Sequence, residues 1–194
     1  MNGLKKRLGR AYLDLAGWKL EGLPPEGVRK YVIIAAPHTS NWDGPAMLAM
    51  ASVLGIDVNW MGKDDLFKPP MGRFLKALGG ISIDRSKDTG VVAQMVQRFE
   101  EADELVLLVP VSGTRGYADH WKSGFYHIAK GANVPVCLSY LDFDSKRGGL
   151  GPCIELTGDM RADMDRIRAF YEGKRGLYPK KQSRVRLREE ASPG

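Results

Sequence analysis

A histidine and an aspartate five residues apart, in His38-Thr39-Ser40-Asn41-Trp42-Asp43, are the residues of this chain best suited to chemistry. A neutral imidazole takes a proton from an attacking hydroxyl only in the right tautomer. A carboxylate bonded to its other nitrogen selects that tautomer and stabilises the imidazolium that forms. Such general-base catalysis contributes roughly 10²- to 10⁴-fold in rate. Spacing does not decide between this and a structural role, because Asp43 equally suits a helix N-cap. Ser112 is a poor nucleophile candidate: Pro110-Val111-Ser112-Gly113-Thr114 lacks the Gly-x-Ser-x-Gly turn of serine hydrolases. His120 reads as a loop residue and His127 as a packed or capping residue on a helix, and with no Cys/His cluster the sequence predicts no metal site.

These residues need elements to hold them. Tyr31-Val32-Ile33-Ile34-Ala35-Ala36 is a continuous apolar run of the kind found in strands buried on both faces, and it ends at Pro37-His38. A helix is expected from Asp43, with Pro45 in its first turn, to Gly55. Further strands are expected at 57–61, 80–83, 105–109, 135–141 and 154–157, and helices near 70–78, 91–102, 124–131 and 163–172. This alternation predicts an α/β fold: a single domain with a largely parallel, mixed sheet flanked by helices. Reactive loops then gather at the carboxyl ends of the strands. Leu4, Leu8, Ala11, Tyr12, Leu15 and Trp18 recur at helical spacing, so residues 3–19 read as an amphipathic helix. It either packs on its own domain or lies among lipid headgroups, which amphipathicity alone does not separate. The expected organisation is an N-terminal amphipathic helix over 1–22, a catalytic domain over 23–173 and a basic tail over 174–194.

The chain has 194 residues, 43% hydrophobic and 27% charged, an ordinary globular composition that favours one domain. Its longest uncharged apolar stretch, residues 44–56, is 13 residues long, short of the roughly 18 to 20 that a bilayer span needs. Arg10, Asp14 and Lys19 interrupt any signal-peptide core. Cys137 and Cys153 form no metal or Cys-x-x-Cys pattern, so reduced thiols in a cytoplasmic setting are expected. The net charge of +6 belongs to the ends: residues 1–20 carry +4 and 174–190 carry +5, leaving about −3 between them. Basic ends suit nucleic acid or an anionic membrane surface. Zinc-ligand spacing, a helix-turn-helix signature and aromatic-basic interleaving are all missing, which disfavours nucleic acid.

In context, His38-x-x-x-x-Asp43 resembles motif I of the glycerolipid acyltransferases, the family that includes 1-acylglycerol-3-phosphate acyltransferase. Gly80-Ile81-Ser82-Ile83-Asp84-Arg85 is similar to the family's second motif, Gly113-Thr114-Arg115 to the end of its third, and Val134-Pro135-Val136 to its fourth. Gly62-Lys63-Asp64-Asp65-Leu66-Phe67 resembles the lysine-bearing turn before motif II, and Trp121-Lys122-Ser123-Gly124-Phe125 the segment after motif III. The likeness covers residues 30–140. Each motif is short, and the set is specific through its order and spacing.

The resemblance implies the fold of that family and an acyltransferase that moves a fatty acyl group from acyl-CoA or acyl-carrier protein to the hydroxyl of a lysophospholipid-type acceptor. His38 would be the general base, oriented by Asp43, with no covalent acyl-enzyme and no cofactor beyond the thioester co-substrate. Arg85 and Arg115 would hold the acceptor phosphate through bidentate, permanently charged guanidinium groups, with Lys63 as a third cation. Gly113 and Thr114 would offer backbone N–H groups to an anion. The enzyme would work as a peripheral protein on an anionic membrane surface, in the cytoplasm. One departure stands out: Val111-Ser112 occupies the place of the family's Pro-Glu in motif III, so a carboxylate has become a hydroxyl, and Ser112 would bind the acceptor by accepting a hydrogen bond from its glycerol hydroxyl. That change motivates an alternative, a catalytically weakened homologue that binds anionic lipid.

Overall fold

The computed structural model describes residues 3–83 and 90–191, apart from the side chains of Lys63, Leu66 and Ala191. Strand β2 (Lys30–Ala35) is the axis of the fold because its residues are apolar on both faces. Val32 and Ile34 enter the core on one side of the sheet, Tyr31 and Ile33 on the other, as the two-residue period of a strand requires. Neighbouring strands and two helical layers must cover it. β5 (Leu105–Pro110) and β6 (Val136–Asp142) flank it in parallel. β3 (Val58–Lys63) lies parallel beyond β5, and β4 (Gly80–Ile83) parallel beyond β3. On the other side β7 (Arg147–Ile154) pairs antiparallel with β6, and the short β1 (Lys19–Glu21) follows β7 in parallel. The order is β1-β7-β6-β2-β5-β3-β4 in one sheet, largely parallel with an opposed edge, as expected.

Helices α4 (Gly90–Glu101), α5 (Gly124–Ala132) and α6 (Met160–Tyr171) cover one face, where Phe99, Phe125, Ile128, Met164 and Ile167 meet Val32, Ile34 and Leu107. The other face is covered by α2 (Asp43–Leu54), with α1 (Gly3–Leu15) packed against it. The short α3 (Gly72–Ala77) leads into β4. Gly9 makes the α1–α2 contact possible, since a Cβ there would sit 2.8 Å from the Ala49 carbonyl oxygen.

Three expectations are corrected. The N-terminal helix ends at Leu15, not residue 19, because Gly17 takes a positive φ of 71° and the Trp18 N–H returns to Leu13 O at 2.8 Å. Trp18 is therefore buried edge-on against Phe143, with ring centroids 4.9 Å apart, instead of ending an exposed stripe. Leu13 is fully buried while Leu4, Leu8 and Leu15 face solvent, so the helix carries an apolar side inward and another outward. The strand expected at 154–157 lies at Arg147–Ile154. Its three glycines and Pro152 hide the strand pattern, and Gly151 serves packing: a Cβ there would fall 2.3 Å from the Phe170 ring. Finally, Cys137 and Cys153 are not reduced thiols but a disulfide. They are direct partners in the β6–β7 register, and antiparallel pairing brings such side chains together.

The basic C-terminal segment folds back onto the domain. Leu187 is buried and bridges to Trp121, and Arg168 of α6 pairs with Glu190.

Candidate active site

Beyond Ala35 the chain passes through a cis Ala36–Pro37 bond and places His38 past the carboxyl end of β2, with α2 starting at Asp43. His38 Nδ1 lies 3.0 Å from Asp43 Oδ2. The same oxygen accepts the backbone N–H groups of Thr39 at 2.8 Å and Ser40 at 2.9 Å, and Oδ1 accepts the Ser40 hydroxyl at 2.6 Å. Burial pushes the Asp43 pKa up. The hydrogen bonds from His38, from the Ser40 hydroxyl and from the two amides outweigh it and hold the carboxyl below its usual range. An ionised carboxylate only accepts, so Nδ1 carries the hydrogen and the Nε2 lone pair is left for a proton. Nε2 has no protein partner among the described residues, and the imidazole is 22% exposed.

Asp43 is not the helix N-cap expected of it. It is the first helical residue, and its carboxylate turns back to the loop it follows; Trp42, in the cap position, makes no side-chain cap bond. The loop is thus organised around the carboxylate that orients the histidine.

In register, Ala35 of β2 stands opposite Pro110 of β5, so the Ser112–Arg115 turn emerges beside the His38 loop. Arg115 is exposed and donates to the Asn41 side chain. Asn41 is a site residue that sequence reasoning passed over; its signal was its place inside the His-to-Asp loop. Ser112 is buried and lines a narrow pocket with His38, Trp121, Tyr171 and Ser183. It donates its hydroxyl to the Thr114 carbonyl at 2.6 Å, which makes it a lock on the turn. Gly113 has a φ of 65°, and its N–H is already bonded to Pro110 O at 3.1 Å. The expectation that this N–H faces an anion is corrected accordingly. Thr114 accepts the Gly116 N–H through its own hydroxyl. Lys63 closes β3, in register with Ile83 of β4, at the same end of the sheet. Arg85 lies outside the described residues.

A family model described as Acyltransferase matches residues 19–139, from the first residue of β1 into β6. The chain belongs to the acyltransferase family. No curated protein matches the chain. The solved structure of the 1-acyl-sn-glycerophosphate (LPA) acyltransferase PlsC from Thermotoga maritima is similar in fold at 16% identity, with a TM-score of 0.54 over 79% of this chain and 68% of that one.

The matched part of this acyltransferase holds the His38–Asp43 pair, Lys63 and the Ser112–Arg115 turn, and omits β7, α6 and all that follows. The omitted part still reaches the site. Thr39 Oγ1 accepts the Tyr178 N–H at 3.2 Å, and Gln182, Ser183 and Val185 line the pocket beside His38. Residues 183 and 184 bond the backbone of Ala118. The Tyr171 hydroxyl lies 2.9 Å from Ser139 O and 3.2 Å from Ile34 O, and its ring packs edge-on to Trp121. Among the described residues, no group of three His, Cys, Asp or Glu could hold a metal ion, and no helix is long and apolar enough to cross a membrane.

Proposed function

We propose that this acyltransferase moves a fatty acyl group from an acyl thioester to the hydroxyl of a lysophospholipid-type acceptor resembling 1-acylglycerol-3-phosphate. The observation that carries the reading is the His38–Asp43 pair, with Nδ1 tied to a carboxyl whose pKa its hydrogen bonds hold below the usual range and Nε2 open. In the proposed reaction Nε2 takes the acceptor hydroxyl proton as the oxygen attacks the thioester carbonyl. The tetrahedral intermediate collapses, a new ester C–O bond replaces the C–S bond, and the departing thiolate takes the proton from His38. Arg115, held by Asn41, would bind the acceptor phosphate, with Lys63 and Arg85 as its expected companions. The likeness to an LPA acyltransferase supports this class of acceptor through fold alone.

A bilayer-borne acceptor calls for attachment, and α1 offers it. Leu4, Leu8 and Leu15 are exposed beside Lys5, Lys6, Arg7 and Arg10, and Leu8 continues into a groove lined by Pro45, Leu48 and Leu78. Apolar insertion plus roughly 1 kcal/mol for each basic residue near an anionic leaflet would give reversible peripheral binding.

The alternative, a weakened homologue that binds anionic lipid, rests on Ser112 standing in place of a glutamate. One assay separates the two: the purified protein, mixed with labelled palmitoyl-CoA or palmitoyl-carrier protein and a panel of lysolipids, should form diacyl product and release the thiol. Lipid binding without product from any pairing would favour the alternative.

A further inference from the structure

Thr39, the residue after the base, is held from the far end of the chain. It is buried, and its two polar ends face different ways. Its N–H donates to Asp43 Oδ2 at 2.8 Å, the oxygen that also takes His38 Nδ1. Its Oγ1 accepts the Tyr178 N–H at 3.2 Å. The buried Gly176 closes the same contact by packing: a Cβ there would sit 2.6 Å from Thr39 Oγ1 and 2.7 Å from Thr39 Cγ2. Gly176 has no positive φ, so close approach to Thr39, not backbone conformation, is what calls for glycine.

The loop that supplies this contact is itself braced. Gln182 spans it, accepting the Gly176 N–H at 3.2 Å and donating to Lys174 O at 2.9 Å. Its start is pinned at the end of β6, where Asp142 accepts the Arg175 N–H at 3.1 Å and the Phe143 N–H bonds Arg175 O at 2.9 Å. Just past Gln182, the Ser183 hydroxyl accepts the Ala118 N–H at 3.0 Å, which ties the segment to the chain that follows the Ser112–Arg115 turn. A braced loop resists displacement, so it fixes Thr39 instead of following it. Thr39 in turn cannot shift without lengthening its bond to Asp43 Oδ2 or moving that oxygen relative to His38. A displacement of about 1 Å at a reacting group costs up to about 10²-fold in rate. Resting on the general-base role proposed for His38, we infer that Thr39 is a positioning residue of the reaction, clamped by Gly176 and Tyr178, and that residues 174–182 are thereby a working part of the site. The family match ends at residue 139, so the clamp comes from the part of the chain that the match does not cover.

Thr39→Val, which keeps the shape of the side chain and removes its oxygen, tests the clamp in the full chain. Its kcat should fall about tenfold with the KM of both substrates within about twofold, and Thr39→Ser, which keeps the acceptor, should recover most of the loss. Nitrogen-15 NMR of the imidazole, with His38 assigned by its disappearance in His38→Ala, should show the Nδ1–H form in the wild type and a mixture of tautomers in Thr39→Val. A bond with a structural role alone would lower the melting temperature by about 2–4 °C and leave both kcat and the imidazole spectrum in place. Gly176→Ala should depress kcat as Thr39→Val does. In a Thr39→Ala background, where the added methyl finds room, the same change should have little further effect. Wild-type kcat and an unchanged imidazole spectrum in Thr39→Val would overturn the inference, as would a Gly176→Ala effect of equal size in both backgrounds. The imidazole spectrum needs no substrate, so it decides on the clamp even where the acceptor class is wrong. Normal turnover in His38→Ala would instead remove the base, and with it the role assigned to Thr39.

Discussion

Arg115 donates a hydrogen bond to Asn41, joining the cation that follows β5 to the loop that carries His38 and Asp43. The base and the proposed phosphate ligand therefore stand on two loops that this bond ties together, although they are far apart in sequence. Asn41→Ala should raise the KM for the acceptor several-fold with a small change in kcat, because Arg115 keeps its charge and loses its anchor. Arg115→Ala should raise it further. Steady-state kinetics in each substrate would show the assignment to be wrong if only the thioester KM moved.

Removing the base tests the other half of the pair. His38→Ala should lower kcat by about 10²-fold or more while lysolipid binding persists, since the lost interaction belongs to the transition state. Asp43→Asn should also impair turnover, as the amide can present a donor to Nδ1 and favour the wrong tautomer. Near-normal turnover in either variant, measured with the fold verified by circular dichroism, would take that residue out of the mechanism.

The Ser112 hydroxyl is committed to the Thr114 carbonyl, so Ser112→Ala should cost about 1 kcal/mol of stability and leave kcat within a few-fold. A loss of several orders of magnitude would make Ser112 a reacting group. Ser112→Glu asks whether the departure from the family motif is a loss or a specialisation: a gain on lysophosphatidic acid indicates the first, a fall on the preferred acceptor the second.

Acid should unfold the protein partly through Asp163. This buried carboxylate accepts the Tyr126 hydroxyl at 2.9 Å, the Thr157 amide and hydroxyl, and the Gly158 amide. Burial raises its pKa, but the bonds from the Thr157 amide, Tyr126, the Thr157 hydroxyl and Gly158 hold it below the usual range. A lowered folded pKa means that its stabilisation is fully present above the unfolded value, about 3.9, and is lost as pH falls through the folded one. Asp163→Asn should lower the melting temperature at pH 7 and flatten its decline below about pH 4. An unchanged acid profile would assign that decline elsewhere.

Membrane attachment should be tested by surface substitution, not by deleting α1, because Leu13 is a fully buried core residue whose loss costs about 2–5 kcal/mol. Leu4→Ser/Leu8→Ser/Leu15→Ser should abolish flotation with anionic vesicles without altering the thermal melt. Undiminished flotation would move the attachment site away from this helix.

What could be read from the amino-acid order was what local pattern encodes. The apolar run 31–36 predicted a strand buried on both faces, and β2 is that strand. Strand-helix alternation predicted the mixed α/β sheet, and the five-residue spacing proposed the pair that the structure closes at 3.0 Å. The features the sequence left open depend on who faces whom. β7 was expected too late in the chain because its glycines make room for Phe170 and Met50, so its composition answers to neighbours instead of to strand propensity. Whether Cys137 met Cys153 was a matter of antiparallel register, and whether the Gly113 N–H was available depended on Pro110. Asn41 gains meaning only when Arg115 arrives from another strand, and the basic C-terminal stretch becomes a neighbour of His38 only when Leu187 docks beside Trp121. Periodicity and spacing report a residue's own element, whereas pairing register and close approach are set by the packing of distant segments, which tertiary structure alone decides.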